Sequence, residues 1–142
     1  MIKKQFLLFA FAVLGITACN DDKATEKVML DEVIKIHDEV MGKEDYLMRN
    51  KMKIDTILMP GPLADKYTVE EKAVLGAVRF KITAADEAMS TWMERFDVEL
   101  KGKSHDEKIK YFTEQKKTVM RIDSQMTVAI DASDKYLKEI KK

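Results

Sequence analysis

Residues 68–96 read TVEEKAVLGAVRFKITAADEAMSTWMERF, and this stretch decides the fold. Within it Leu75, Val78, Ile82, Ala85, Met89, Trp92 and Phe96 recur at steps that alternate three and four. An α-helix turns once per 3.6 residues, so these steps hold the apolar side chains in one stripe. A seven-residue repeat of this kind belongs to a helix packed lengthwise against others. Thr68 precedes the stripe and Glu71 follows three residues on, the pairing of a capping box. Just upstream, Pro60-Gly61-Pro62 ends any preceding helix, because proline cannot extend the hydrogen-bond ladder.

The same period continues on both sides. Upstream, Val33, Val40, Leu47 and Ile54 recur every seven residues, flanked by Ile34, Met41 and Met48. They predict a first helix from about Thr25 to Met59, with Gly42 as its weak point. Downstream, Gly102 is a natural stop for the second helix. Ser104 with Glu107 forms a second capping box. A third helix then carries Ile109, Phe112, Val119, Met126, Ile130, Leu137 and Ile140 on one face, interrupted by Lys116, Asp123 and Ser133. No stretch of useful length alternates with the period of two that a strand requires. The expected fold is all-α: an elongated up-down-up three-helix bundle with coiled-coil-like packing, each helix about 50 Å long. The alternative is four helices, with helix one split near Gly42.

Composition agrees. The 142 residues suit one domain, with 25 basic and 25 acidic side chains, five Gly and two Pro. This is the profile of long helices with solvated, charge-laced faces. The balanced charge offers no field for nucleic acid. The single Cys excludes an intramolecular disulfide, and the ten Met are conspicuous.

The N-terminus reads as an address. Lys3 and Lys4 form a charged n-region, and Phe6 to Ile16 is an apolar run. That run spans roughly half of a ~30 Å hydrocarbon core, which suits a signal peptide and not a membrane span. Ile16-Thr17-Ala18-Cys19 has the form of a bacterial lipobox. Small residues admit the peptidase, and the thiol of Cys19 accepts the lipid as a thioether. The expected organisation is a signal peptide over 1–18, a lipidated Cys19 with a short polar tether over 19–24, and a bundle domain over 25–142. Loss of Lys3 and Lys4 leaves a mature net charge of −2. Several acyl chains, at ~0.8 kcal/mol per buried methylene, would serve as the only membrane attachment.

Antiparallel pairing sets levels along the bundle. Facing residue numbers in helices one and two should sum to roughly 127, and in helices two and three to roughly 204. One layer then gathers His37, Met41, Met89, Trp92 and Phe112, with Met93 and Gln115 at its margin. The plain reading is a satisfied core histidine among methionine filling. The chemical reading is a soft metal site of His37, Met41, Met89 and Met93, because thioether and imidazole suit Cu(I) and the Trp92 indole can stack on a cation. Catalysis finds no support. The only other His outside the leader, His105, falls in the first turn of helix three. No nucleophile–base order, phosphate loop or zinc spacing is present.

Ile36-His37-Asp38-Glu39-Val40-Met41, the run from Asp86 to Phe96, and Tyr111-Phe112-Thr113-Glu114-Gln115 resemble a family of small Bacteroidota lipoproteins often labelled "viral A-type inclusion protein". The label implies coiled-coil likeness and no viral role, and the resemblance brings no established activity. It implies a kink near Gly42, where members often carry Pro. In that phylum the acidic Asp21 and Asp22 after Asn20 resemble a surface-export signal. They favour surface display of an outer-membrane lipoprotein over a periplasm-facing anchor.

Two functions follow as expectations. One is a non-enzymatic binding or structural module of the cell envelope, serving a protein or glycan partner without a cofactor. The other is a Cu(I) carrier or sensor built on the His/Met/Trp layer.

Overall fold

The computed structural model describes residues 18–140. Three helices occupy most of that span: α1 (Ala18–Leu58), α2 (Val69–Arg95) and α3 (His105–Glu139), with a 3₁₀ turn over Ala64–Lys66 between the first two. Among the described residues there is no strand, and no helix is long and apolar enough to cross a membrane. The n-region, the apolar run and Thr17 lie outside the described residues.

Cross-helix pairs establish the topology. Glu26 meets Lys108, Glu32 meets Lys116, and Tyr46 meets Asp134, so numbers on α1 and α3 rise together and these helices are parallel. Asp55 meets Arg79 and His37 meets Met93, so α2 runs antiparallel to α1. The bundle is up-down-up. Its core is the set of seams read above: Val33, Val40, Leu47 and Ile54 are all fully buried, as are Leu75 and Ile82 on α2 and Val119 and Met126 on α3. Both capping boxes form, each hydroxyl accepting from the third backbone N–H and each Glu accepting from the cap's own.

The structure corrects four expectations. First, α1 runs through Gly42 without a break, so the four-helix alternative fails. A Cβ at Gly42 would meet nothing within 4 Å, so no close packing at that position interrupts the ladder. Second, α1 begins at Ala18 and not near Thr25, so the stretch 19–24 expected as a tether is helical. Its support is polar: Asp22 and Glu26 reach across to α3, which apolar periodicity does not register. Third, α2 ends at Arg95, well before Gly102. The Asp97 carboxylate accepts from the N–H groups of Glu99 and Leu100 and offers the backbone a turn in place of the helix. Leu100 enters the left-handed region (φ 45°) and its side chain is buried, pinning the loop to the core. Fourth, the buried face of α3 is broader than read: Ile122, Ala129 and Ser133 join it, while Ile109, Ile130 and Ile140 are only partly buried.

Two polar residues lie inside. Asn50 Nδ2 donates to Ser133 Oγ at 2.9 Å and to Asp134 Oδ1 at 2.7 Å. Ser133 Oγ donates to the Ile130 carbonyl at 2.8 Å. Tyr46 donates to the same Asp134 carboxylate, whose hydrogen bond and charge raise the phenol above its ordinary value of 10.0. Among the described residues every buried side-chain N or O has a partner. Asn50→Ala is expected to cost about 1–3 kcal/mol in urea denaturation followed by helical circular dichroism, while the Asn50→Leu/Ser133→Ala double variant recovers most of that loss. Equal losses in both would show that the pair does not act as a unit.

Candidate functional site

The site begins with helical phase. His37 follows the fully buried Val33 by four residues and precedes Val40 by three, so it leaves α1 at the edge of the core stripe. Its side chain is 22% exposed. On the facing helix, Met93 follows the buried Trp92 and stands at the corresponding edge of α2. Antiparallel packing closes the pair: His37 Nε2 lies 3.3 Å from Met93 Sδ. On its other side, His37 Nδ1 lies 3.0 Å from Asp38 Oδ1.

Trp92 forms the inner wall. Its ring centroid is 5.6 Å from that of His37, with the planes tilted by 32°. The indole is nearly buried, and its Nε1–H donates to Gln115 Oε1 on α3 at 2.8 Å. That bond satisfies the one polar atom of the indole and fixes its rotation. Phe96 stacks on its far side at 4.7 Å, and Tyr111 stacks on Phe96 at 6.1 Å. Tyr111 accepts the Asp97 N–H at 2.8 Å, which ties this aromatic row to the loop after α2.

Of the predicted layer, the structure brings Trp92 beside His37. Met93, read as marginal, makes the contact with His37, and among the described residues the ring's polar contacts are Asp38 and Met93. Met41 and Met89 sit one turn further along α1 and α2, partly buried and buried respectively. Because the helices are antiparallel, those two belong to the next layer inward. Sequence reasoning missed Phe96 and Tyr111 as an aromatic row, since Phe96 packs from beyond the end of α2. Cys19 lies in the first turn of α1.

A second cluster joins α1 to α3. His105, the first residue of α3, donates through Nδ1 to Glu26 Oε1 at 3.1 Å, and Asp22 lies 3.7 Å from its Nε2. Lys108 Nζ donates to Glu26 Oε2 at 2.9 Å. The Lys108 hydrogen bond holds the Glu26 carboxyl below its ordinary value of 4.5, against an opposing effect of burial. Lysine and histidine offset the carboxylates here. Among the described residues no three His, Cys, Asp or Glu side chains converge as a metal site.

No protein-family model, curated protein or solved structure matches the chain.

Two measurements probe these sites. Glu26 has a depressed folded pKa, so its contribution to stability is complete above the ordinary carboxylate value and is lost as pH falls through the lower, folded value. Wild-type urea midpoints should therefore fall between about pH 5 and pH 3 more steeply than those of Glu26→Gln; identical slopes would remove Glu26 from the acid response. Trp92→Ala should cost about 3–5 kcal/mol, as expected for deleting a buried aromatic. A cost under ~1 kcal/mol would contradict its place in the core.

Proposed function

We propose that this protein is a lipoprotein of the cell envelope, lipidated at Cys19, whose bundle serves as a non-enzymatic binding or structural module. The observation that carries the reading is the lipobox Ile16-Thr17-Ala18-Cys19, whose Cys19 falls in the first turn of α1. An anchor at Cys19 would pass directly into α1, which keeps 40 of its 41 residues from Cys19 to Leu58. At 1.5 Å per residue, α1 would hold the Pro60–Pro62 turn about 60 Å from the lipid. The far end of the bundle is apolar on its outside: Met59, Leu63 and Val69 are exposed there, Val69 by 77%. Phe80, 73% exposed, extends that surface along α2. Aliphatic and thioether side chains suit a protein partner better than a glycan, whose hydroxyls call for polar and aromatic platforms. Asp21 and Asp22 after the anchor support display on the outer surface of the outer membrane.

Labelled palmitate should enter the full chain and fail to enter Cys19→Ala, which should then leave the membrane fraction. Proteinase added to intact cells should remove the domain. An unlabelled wild-type protein, or an Ala variant that stays membrane-integral, would overturn the anchor. Protection from the proteinase would place the domain on the periplasmic side.

A further inference from the structure

We infer that His37 Nε2 and Met93 Sδ are the primary donors of a Cu(I) site at the α1–α2 seam. The inference goes beyond the envelope reading and rests on the 3.3 Å approach of an imidazole nitrogen on α1 to a thioether sulfur on α2. A carboxylate can only accept a hydrogen bond, so the contact with Asp38 is made by an Nδ1–H donor. In the neutral ring with that tautomer Nε2 carries a lone pair beside the sulfur, and in the imidazolium the same contact is an Nε2–H···Sδ hydrogen bond. A soft cation can take the place of the Nε2 proton and bridge nitrogen and sulfur.

The donor types select the cation. Thioether sulfur is soft, and beside imidazole it favours Cu(I) over magnesium, calcium or manganese, which take oxygen. With metal–ligand bonds of the order found at zinc, about 2.0 Å to nitrogen and 2.3 Å to sulfur, a 3.3 Å separation subtends about 100° at the metal. That angle leaves room for a third donor. Met41 and Met89, one turn away on the same two helices, supply thioethers of the same kind. Asp38 is the positioning residue, holding the ring and raising the basicity of the liganding nitrogen. Trp92, fixed by Gln115, presents a π-rich wall beside the imidazole. Met93 is 40% exposed, so a cation can enter without opening the core.

The test uses the full chain in detergent micelles with Cys19→Ala, which removes the only thiol, a competing Cu(I) ligand. Cu(I) is titrated anaerobically against a chromophoric chelator. One equivalent should bind with submicromolar affinity. His37→Gln and Met93→Leu should each abolish that affinity, Asp38→Ala should weaken it about tenfold, and Met120→Leu, a remote exposed methionine, should leave it unchanged. Ag(I), a closed-shell probe, should perturb the fluorescence of the sole tryptophan at one equivalent and fail to do so in Met93→Leu. Met93→Leu replaces a half-exposed side chain by one of similar volume, so its result stands even if His37→Gln is unstable. Absence of submicromolar binding, or Met93→Leu binding as tightly as the parent, would overturn the site.

Discussion

Axial register is the constraint on which the rest of this bundle depends, and the buried Asn50–Ser133 pair sets it. Apolar seams repeat every seven residues, so sliding one helix by a heptad restores almost the same contacts. A polar pair inside an otherwise apolar core removes that freedom. If α1 moves one heptad along α3, Asn50 loses Ser133 and Asp134 together and comes level with Met126 and Thr127 or with Ile140, and a buried amide deprived of its partners is costly. The role is that of a polar residue at a single seam position in coiled coils, which specifies register at some expense of stability. Glu26–Lys108, Glu32–Lys116 and Lys43–Asp123 stand at separations of 82, 84 and 80, within a turn of the 83 between Asn50 and Ser133. Each such partly exposed pair contributes little energy by itself; separations that agree to within a turn, less than a heptad, fit one register.

The parts of this fold legible in the sequence were those where a single physical rule acts alone. The seven-residue stripe of α1 depends only on burial, and its four residues are all at zero exposure. The capping boxes depend only on local backbone chemistry, and both form as read. Where two rules compete, the reading fails. Gly102 is a good helix stop, yet Asp97 acts first, because its side chain captures two backbone N–H groups. The first turns of α1 carry no apolar period, yet polar contacts to His105 and Lys108 accompany their helix. Asn50 escapes notice for the same reason. As a polar residue beside Lys51 it reads as solvent-facing, and only the position of Ser133 on another helix makes it a core residue.

The His/Met layer was legible to about one turn, which decided which residues were neighbours but not which atoms touch. The numbers of facing residues on α1 and α2 are slightly higher than loop lengths alone suggest, because the 59–68 connection includes the 3₁₀ turn over Ala64–Lys66. That small shift brings Met93 to His37 and moves Met41 and Met89 into the adjoining layer. A difference of three or four residues is immaterial for packing, since either methionine fills the space. For coordination it matters, because it decides which thioether stands beside His37 Nε2.

Trp92 makes the site and the fold one problem. Its Nε1 is tied to α3 through Gln115, its ring adjoins His37 of α1, and its backbone belongs to α2. One side chain therefore senses the placement of all three helices. A cation held by His37 and Met93 would span α1 and α2 next to that junction. Because those donors come from different helices, the unfolded chain would hold them far apart, and occupancy would favour the folded bundle by mass action. A site within one helix, with donors at i and i+4, would gain less from the fold. The flank of the seam sets His37, placed beside the buried Trp92, against Met93, which is open to water.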